Sequence, residues 1–435
     1  MKKIWNEIKE RTTGRKVLWS FFFSLAIPLF SYLLCNTSIP LPDEMAVLQG
    51  WDKLKTFNGL SKDSIPDEIL LVNVSFDKQL VGYEKNGMPV GQYAITDRRK
   101  LLKFLRLAQK ANNYKYILLD VIFEKGIASE TDSALFQQIA SMEHIVIPVH
   151  KDAPLQDSIL YKKAANADYT VTWQETNFSR FKFRWGDLPT IPLKMYQELN
   201  GEDISRHGIF YSSCNWLCQN GITLQLPFKM SNDTKREGDH LKYDVIQLGV
   251  DLLELDSISP IANDIKDKIV VIGDFYTDVH DTYLGPQPGS ILCLNAYYAL
   301  QRGDHILDGR KFLFYIIISL IYFILTLCYM NGFSLSELTD KVWFKAIISF
   351  GSISLLFWIM AIFGYIFFDT VYNFWIPIVI FSTLGTIIYI NSLIKEIKNE
   401  KTKTTSDITL PGTNRSSSRE LQDSVPEQQQ DKNRQ

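Results

Sequence analysis

The sequence predicts an α/β protein with a mainly parallel-sheet extracytoplasmic domain and four transmembrane α-helices, one N-terminal and three C-terminal. One observation behind this prediction is that four apolar stretches each reach the length of about 20 residues that a helix needs to cross a bilayer core of about 30 Å. The other is the polar segment between the first two stretches. Short runs rich in valine and isoleucine alternate there with amphipathic helical patterns, which is typical of a parallel sheet.

The apolar stretches divide the chain into seven predicted segments. These are a cytoplasmic N-terminus at 1–16, a span at 17–35, the extracytoplasmic domain at 36–311, three spans at 312–330, 343–367 and 374–394, and a disordered cytoplasmic tail at 395–435. The tail is rich in Ser, Thr, Gln and charged residues, and it has too few apolar side chains to bury a core.

The basic residues beside the spans predict the orientation. Six Lys and Arg residues precede the first span, residues 36–42 after it carry none, and four lysines follow the last span. Because Lys and Arg near a span stay on the cytoplasmic side, both termini are predicted to be cytoplasmic and the large domain to lie outside. The first apolar run ends without the small residues of a cleavage site, so this span is predicted to remain as an anchor.

Four short apolar runs of the outer segment predict strands buried on both faces, at 69–74, 116–123, 144–149 and 268–273. Between them, residues 97–112 and 132–142 repeat apolar side chains on one helical face, and Asp97 is placed to cap the first helix. This alternation of strand and helix predicts right-handed crossovers and a mainly parallel sheet. Residues 150–263 are less regular, and alternating aromatic side chains at 178–185 suggest an antiparallel excursion or an inserted subdomain.

The ends of these strands carry acidic residues. In open α/β sheets, ligands bind beyond the carboxyl ends of the strands. The candidate ligand-binding residues in that zone are Asp77, Asp120, Asp274, Asp278, His280 and Asp281. Such carboxylates either hold a divalent cation or cap helices and tie loops through backbone hydrogen bonds. We predict the second role for most of them, and no catalytic residue, metal or cofactor.

Composition excludes one large class of function. The chain has 46 Lys and Arg against 48 Asp and Glu, so it is not a broadly basic nucleic-acid binder. Five cysteines do not make a disulfide framework. Cys214 and Cys218 form either a local disulfide, which an oxidising compartment permits, or two free thiols.

Residue types also recur in the order of a known family across roughly 60 to 310. The matching positions are 69–74 with Asp77, Arg98 or Arg99 ahead of the first helix, Leu-Asp-Val-Ile-Phe at 119–123, Asp132, 268–273, Asp281, Pro286, Gly289 and the Asn295–Ala296 pair. They resemble the second type of CHASE domain, an extracellular sensory module of bacterial signalling proteins. A leading span and three trailing spans also resemble that family's layout. The family's Trp-Pro dipeptide before the Arg is replaced here by Tyr-Ala-Ile-Thr-Asp at 93–97.

The resemblance implies a sensory role in a bacterial inner membrane, with the domain periplasmic or extracellular, and it adds Arg98 to the candidate ligand-binding residues. No catalytic motif and no cytoplasmic output enzyme is expected, since only about 40 residues follow the last span. We therefore expect a sensor that is anchored in the lipid bilayer by its helices, binds a ligand or an envelope protein and signals to a separate cytoplasmic protein, as a monomer or a homodimer. The alternatives are a scaffold of an envelope complex and a metal-dependent extracytoplasmic enzyme.

Overall fold

The structure is a computed structural model that describes residues 12–37, 42–57, 66–85, 88–168, 178–230, 245–247, 260–331, 342–368, 370 and 372–406. The chain forms two compact units, Met1–Thr383 and Leu384–Gln435. All tertiary contacts given below belong to the first unit. Of the second unit, the described residues are helical up to Ser406.

The helices are α1 (Gly14–Cys35), α2 (Pro42–Phe57), α3 (Arg98–Ala111), α4 (Asp132–Ser141), α5 (Ile191–Asn200), α6 (Pro260–Asp264), α7 (Gly289–Gln301), α8 (Gly309–Met330), α9 (Val342–Phe368) and α10 (Trp375–Ser406). The strands are β1 (Ile69–Asn73), β2 (Lys78–Lys85), β3 (Met88–Thr96), β4 (Tyr116–Leu119), β5 (Ile145–Val149), β6 (Ala164–Asn166), β7 (Arg180–Lys182), β8 (Arg184–Trp185), β9 (Leu188–Pro189), β10 (Ser205–His207), β11 (Phe210–Ser213), β12 (Trp216–Cys218), β13 (Gly221–Thr223), β14 (Val245–Gln247), β15 (Ile269–Gly273), β16 (Val279–Thr282) and β17 (Gly285–Pro288).

A six-stranded sheet forms the centre of the α/β domain, in the order β14-β1-β15-β4-β5-β6. Every neighbouring pair in this sheet is parallel. Of these six strands β15 comes last in the chain, yet it lies between β1 and β4, with Val271 opposite Leu71 on one side and Leu118 on the other. The prediction of an α/β fold with a mainly parallel sheet is confirmed.

The strands are apolar on both faces because helices cover both sides of the sheet. Leu71, Leu118 and Val271 belong to one buried cluster, which includes side chains of α5 and α7. Their sequence neighbours, such as Leu70 and Val270, belong to a second cluster with side chains of α3 and α4. Each fully buried aliphatic side chain of this kind contributes about 1.5–3 kcal/mol, so these two layers provide most of the driving force for folding.

Both helices predicted between the first strands are present. Asp97 caps α3, where its carboxylate accepts hydrogen bonds from the backbone N–H groups of Arg99 at 2.9 Å and Lys100 at 3.3 Å. The predicted apolar face of α3, including Leu101 and Leu105, is completely buried. Helix α4 begins at Asp132, as the pattern indicated.

Several strands differ from the prediction. The second predicted strand ends at Leu119 rather than at residue 123, because the chain after Asp120 leaves the sheet and contacts the 154–156 segment, where Gln156 N–H donates to the Phe123 carbonyl. Strand β6 was not predicted at all. It contains three residues, which is too short for a period-2 pattern to be recognised.

Antiparallel strands, as predicted, are present in residues 178–230. Strands β10, β11 and β12 form an antiparallel sheet, and β7 pairs with β13. Cys214 lies with Asn215 in the left-handed turn between β11 and β12, while Cys218 lies on β12 and is buried. The two cysteines are free thiols, so no disulfide joins them.

Helices occupy all four positions of the predicted spans. By length and composition, α1 and α8 are the two described helices that are able to cross a membrane, while α9 and α10 contain shorter apolar stretches at Ser354–Phe368 and Trp375–Ile387. Helix α10 continues to Ser406, so residues 395–406 are helical rather than part of a disordered tail. The apolar pattern ends near residue 394, but the charged residues that follow are good helix formers. Residues 407–435 lie outside the described part.

Helices α1 and α8 pack against each other along their length in opposite directions. At one end, Lys16 Nζ donates to Asn331 Oδ1 at 2.9 Å, and Ser20 Oγ contacts Met330 Sδ at 3.9 Å. Helix α9 approaches α8 closely, since a Cβ atom at Gly364 would lie 2.4 Å from the Phe314 ring. Helices α1, α8 and α9 therefore form one packed group.

Candidate functional site

A cleft of about 570 Å³ lies at the carboxyl edge of the central sheet. Its floor is built from residues that directly follow strands β1, β15, β4, β5 and β6. The polar side chains that line it are Lys78, Thr96, Arg98, Asp120, Glu124, His150, Asp168, Asp274, Thr277, Asp278 and His280. This is the position at which open parallel sheets bind ligands.

The β2–β3 hairpin and the segment after β4 give the cleft an apolar wall. Tyr93 and Ile95 from β3 line it, together with Val121, Ile122 and Ile127. Tyr93 and Ile122 remain about half exposed, at 55% and 49%. A ligand that enters the cleft would therefore meet apolar side chains on one side and charged groups on the other.

Asp120 is the most perturbed acid of the cleft. It follows β4, and its backbone N–H is fixed by the Ile272 carbonyl at 2.7 Å. Burial, together with the like charges of Asp278 and Asp274, raises the pKa of Asp120 to about 7. Within the described residues, no side chain or backbone N–H donates a hydrogen bond to the Asp120 carboxylate.

Asp274, in contrast to Asp120, is stabilised in its ionised form. Its carboxylate accepts hydrogen bonds from Ser75 Oγ at 2.6 Å and Thr277 N–H at 2.8 Å, and it pairs with Lys78 Nζ at 3.1 Å. Burial acts to raise the pKa of Asp274, but these donors outweigh burial and hold the pKa well below its usual range. Asp274 is therefore a fixed negative charge that organises the loop after β15.

Asp278 and His280 lie on the start of the β16–β17 hairpin at the rim of the cleft. His280 Nε2 is 3.6 Å from Asp278 Oδ1. Burial and Asp274 raise the pKa of Asp278, against the lowering effect of His280. The backbone carbonyl of Asp278 accepts a hydrogen bond from Gly289 N–H at 3.1 Å, which joins this rim directly to the first residue of α7.

Arg98 is the only cation of the cleft lining that is almost fully buried among the described residues, with 1% of its surface exposed. Its Nη2 donates to the Ile122 carbonyl at 3.0 Å, its guanidinium lies 4.3 Å from the centre of the Phe123 ring, and its Nε lies 3.7 Å from Asp132 Oδ1. Burial lowers the pKa of Arg98 to about 10, and Asp132 opposes that effect. The guanidinium therefore stays charged at neutral pH.

Two of the predicted site residues lie outside the cleft lining. Asp77 is buried against the start of α3, where its carboxylate pairs with Lys100 Nζ at 2.5 Å. Asp281 is exposed on β16, and its carbonyl accepts a hydrogen bond from Phe178 N–H. The pairing of Asp77 matches the structural alternative for such carboxylates, in which they stabilise loops and helix ends, whereas the contact of Asp281 is made by its backbone.

His150, Asp168, Glu124 and Lys78 line the cleft but were not among the predicted residues. His150 follows β5 and Asp168 follows β6, and their side chains lie 2.9 Å apart between Nδ1 and Oδ1. The rule that selected Asp120 and Asp274 applies to His150 as well, since it directly follows a predicted strand. Asp168 was hidden because β6 was not recognised.

The cleft offers charge and hydrogen bonds rather than a metal centre. Among the described residues, no group of three or more His, Cys, Asp or Glu side chains is arranged to hold a metal ion. Three of the acidic side chains, Asp274, Asp168 and Asp278, are instead paired with Lys78, His150 and His280, respectively. The arrangement is suited to recognising a small charged molecule.

Comparison with models of known protein families, with curated protein sequences and with solved structures found no match. The resemblance to the second type of CHASE domain therefore stays a prediction from the residues named above.

Proposed function

We propose that this protein is a membrane-anchored extracytoplasmic sensor, with a sensory domain of the second CHASE type and four spans that leave both termini in the cytoplasm of a bacterial cell. A ligand or an envelope protein binds the cleft, and the signal passes through the spans to a separate cytoplasmic protein. The observation that carries this proposal is that one helix, α7, begins at the cleft and ends next to the start of α8, one of the two described helices that are both long and apolar enough to cross a membrane.

The cleft and α7 are connected at the N-terminal end of that helix. Gly289 N–H is bound to the Asp278 carbonyl, and a Cβ atom at Gly273 would lie 2.9 Å from Ser290 Oγ and 3.5 Å from Asp120 Cβ. With so little space between the strand end and the helix start, a ligand that moves Asp120 or Asp278 also moves the first turn of α7.

Helix α7 is held tightly enough to move as a unit. Asn295 is completely buried, and its side chain forms two hydrogen bonds with the backbone of Phe228, at 3.1 Å from Phe228 N–H and 2.9 Å to the Phe228 carbonyl. Gln287 holds the backbone of Met230 in the same way, at 2.8 Å and 3.1 Å. A displacement at one end of this helix is therefore transmitted rather than absorbed.

The junction between α7 and α8 is closed by Lys311. Its Nζ donates to the carbonyls of Gly303, Asp304 and Ile306 at 3.3, 2.8 and 3.0 Å, and Asp308 caps α8 through the Lys311 N–H. Such charge-assisted bonds to carbonyls make the turn at 302–308 stiff. The turn is thus a coupling element between the α/β domain and α8.

The domain also contacts the C-terminal end of α1. Arg180 Nη1 donates to the Cys35 carbonyl at 2.9 Å, Tyr32 Oη donates to the Cys218 carbonyl at 2.7 Å, and Asn220 N–H donates to Asn36 Oδ1 at 2.8 Å. The first and second spans of the proposed topology therefore leave the membrane under the same domain. A rotation of that domain changes the relative position of both.

Thermal unfolding of the full chain in nanodiscs, with a library of small polar metabolites, tests the proposal. A compound that binds the folded state stabilises it by mass action, by about 2.7 kcal/mol at a hundredfold excess over Kd, and thereby raises the melting temperature. We expect a shift in the wild type and in the control Asp281→Asn, which lies outside the cleft, and a reduced shift in Asp120→Asn. An equal shift in both variants contradicts binding at the cleft. A stable co-purified protein without any small-molecule effect would instead favour an envelope scaffold.

A further inference from the structure

Two groups of opposite charge line the same cleft, and each has hydrogen-bonding capacity that the described residues do not use. Arg98 is 1% exposed, yet its Nη1 has no hydrogen-bond partner there. Buried polar atoms of this kind normally have a partner, so the unused N–H of a residue that lines a cleft is available to a ligand group. A guanidinium selects a carboxylate or a phosphate, which it binds through paired N–H groups.

The second group is the Asp120 carboxylate. It accepts no hydrogen bond from the described residues, and Asp274 and Asp278 lie close enough to disfavour its negative charge. A protonated amine would relieve this repulsion and supply donors at the same time. The matching ligand group at this end of the cleft is therefore an ammonium.

The rest of the lining excludes ligands with a single charge. A purely anionic ligand bound at Arg98 would leave the Asp120 carboxylate without a donor, and a purely cationic one would leave Arg98 Nη1 unused. The apolar wall formed by Ile95, Val121 and Ile122 supplies contact for a short carbon chain between the two charged ends. A volume of about 570 Å³ accommodates a small molecule of this kind.

We propose that the cleft binds a small zwitterion of the amino-acid type, whose acidic group contacts Arg98 and whose protonated amine contacts Asp120. This inference rests on the proposed function, because it names the class of ligand that the cleft of the sensor takes.

Isothermal titration of the full chain in nanodiscs tests the class of ligand without any substitution. The probes are the protein amino acids with β-alanine and γ-aminobutyrate, and each zwitterion that binds is compared with its amine-only and acid-only analogues, for example butylamine and butyrate for γ-aminobutyrate. We expect at least one zwitterion to bind and both of its analogues to bind at least about tenfold more weakly. An analogue that binds as tightly as its zwitterion overturns the proposal, and so does the absence of binding by every zwitterion.

Two substitutions test the assigned contacts. Asp120→Asn should remove the preference for the amine, so that the zwitterion binds no better than its acid-only analogue. Arg98→Lys keeps the charge but loses the paired N–H groups. It should therefore weaken the binding of both the zwitterion and the acid-only analogue. Asp281→Asn, exposed and outside the cleft, is the matched control and should bind as the wild type does. Equal binding by Asp120→Asn and the wild type contradicts the assignment.

The outcomes separate this inference from the proposed function. If only an amine binds and Asp120→Asn abolishes that binding, the proposed class of ligand is wrong, while the cleft remains the proposed sensory site. If a zwitterion binds with unchanged affinity in both cleft variants, the binding site lies elsewhere, and both proposals are wrong.

Discussion

Asp120 combines burial with two neighbouring carboxylates, and this sets how the protein responds to pH. The pKa of Asp120 is raised to about 7, whereas an unfolded Asp titrates near pH ~3.9. Between these values the folded protein keeps a proton that the unfolded chain has released. The stability contributed by the protonated form is therefore fully present below pH ~4 and is lost as the pH rises through about 7.

Asp120→Asn removes this ionisation. Relative to the wild type, the variant should gain stability as the pH is raised from about 5 to about 8, by on the order of 1–3 kcal/mol at the upper end. Thermal unfolding across that pH range measures the difference, with Asp281→Asn as the control that should follow the wild type. A constant difference between Asp120→Asn and the wild type at every pH would contradict the raised pKa.

Gly221 marks the closest approach of the α/β domain to α1. A Cβ atom at this position would lie 2.5 Å from the Cys35 carbonyl oxygen and 3.2 Å from that of Thr37, both of which are backbone atoms. Gly221→Ala should therefore push β13 away from the end of α1 and destabilise the protein by about 1–3 kcal/mol. The matched control is Gly82→Ala, since a Cβ atom there has no neighbour within 4 Å. Equal melting temperatures of the two variants would contradict this contact.

At the scale of elements, the type of sheet could be predicted from the sequence, but the order of its strands could not. Apart from Asn73 at the end of β1, the runs at β1, β4, β5 and β15 have no polar interruption, which predicts burial on both faces and hence a parallel sheet. The position of β15 between β1 and β4 depends on tertiary packing, which no local pattern contains. Strands β6 and β14 have three residues each and escape any periodicity analysis.

Those residues of the candidate site that come directly after a predicted strand could be predicted from the sequence. Asp120, Asp274 and the Asp278–His280 pair line the cleft because they follow β4 and β15. Asp77 was selected by the same rule, but its carboxylate is occupied by Lys100, whose side chain returns from the first turn of α3. Such a pairing depends on the angle between the strand and the helix, so spacing along the chain does not predict it.

At the scale of the whole molecule, the proposed topology makes a prediction about cysteine labelling. Cys214 is exposed in the α/β domain, whereas Cys218 is buried and burial raises the pKa of its thiol to about 12. A maleimide that cannot cross membranes should label Cys214 in intact spheroplasts, and Cys214→Ser should abolish that labelling. A cysteine introduced in the tail by Ser417→Cys should react only after permeabilisation. Labelling of Cys214 only after permeabilisation would contradict the orientation.

The account as a whole depends on transmission from the cleft to α8, and hydrogen exchange measures this directly. The full chain in nanodiscs is compared with and without the compound that gives the largest thermal shift, and the turn at 302–308 is followed. We expect its exchange to change in the wild type but not in Asp120→Asn. Lys311→Met, which removes three hydrogen bonds to that turn, should bind the compound normally and lose the response. Binding at the cleft with unchanged exchange in the wild-type turn would contradict the proposal that this protein is a sensor.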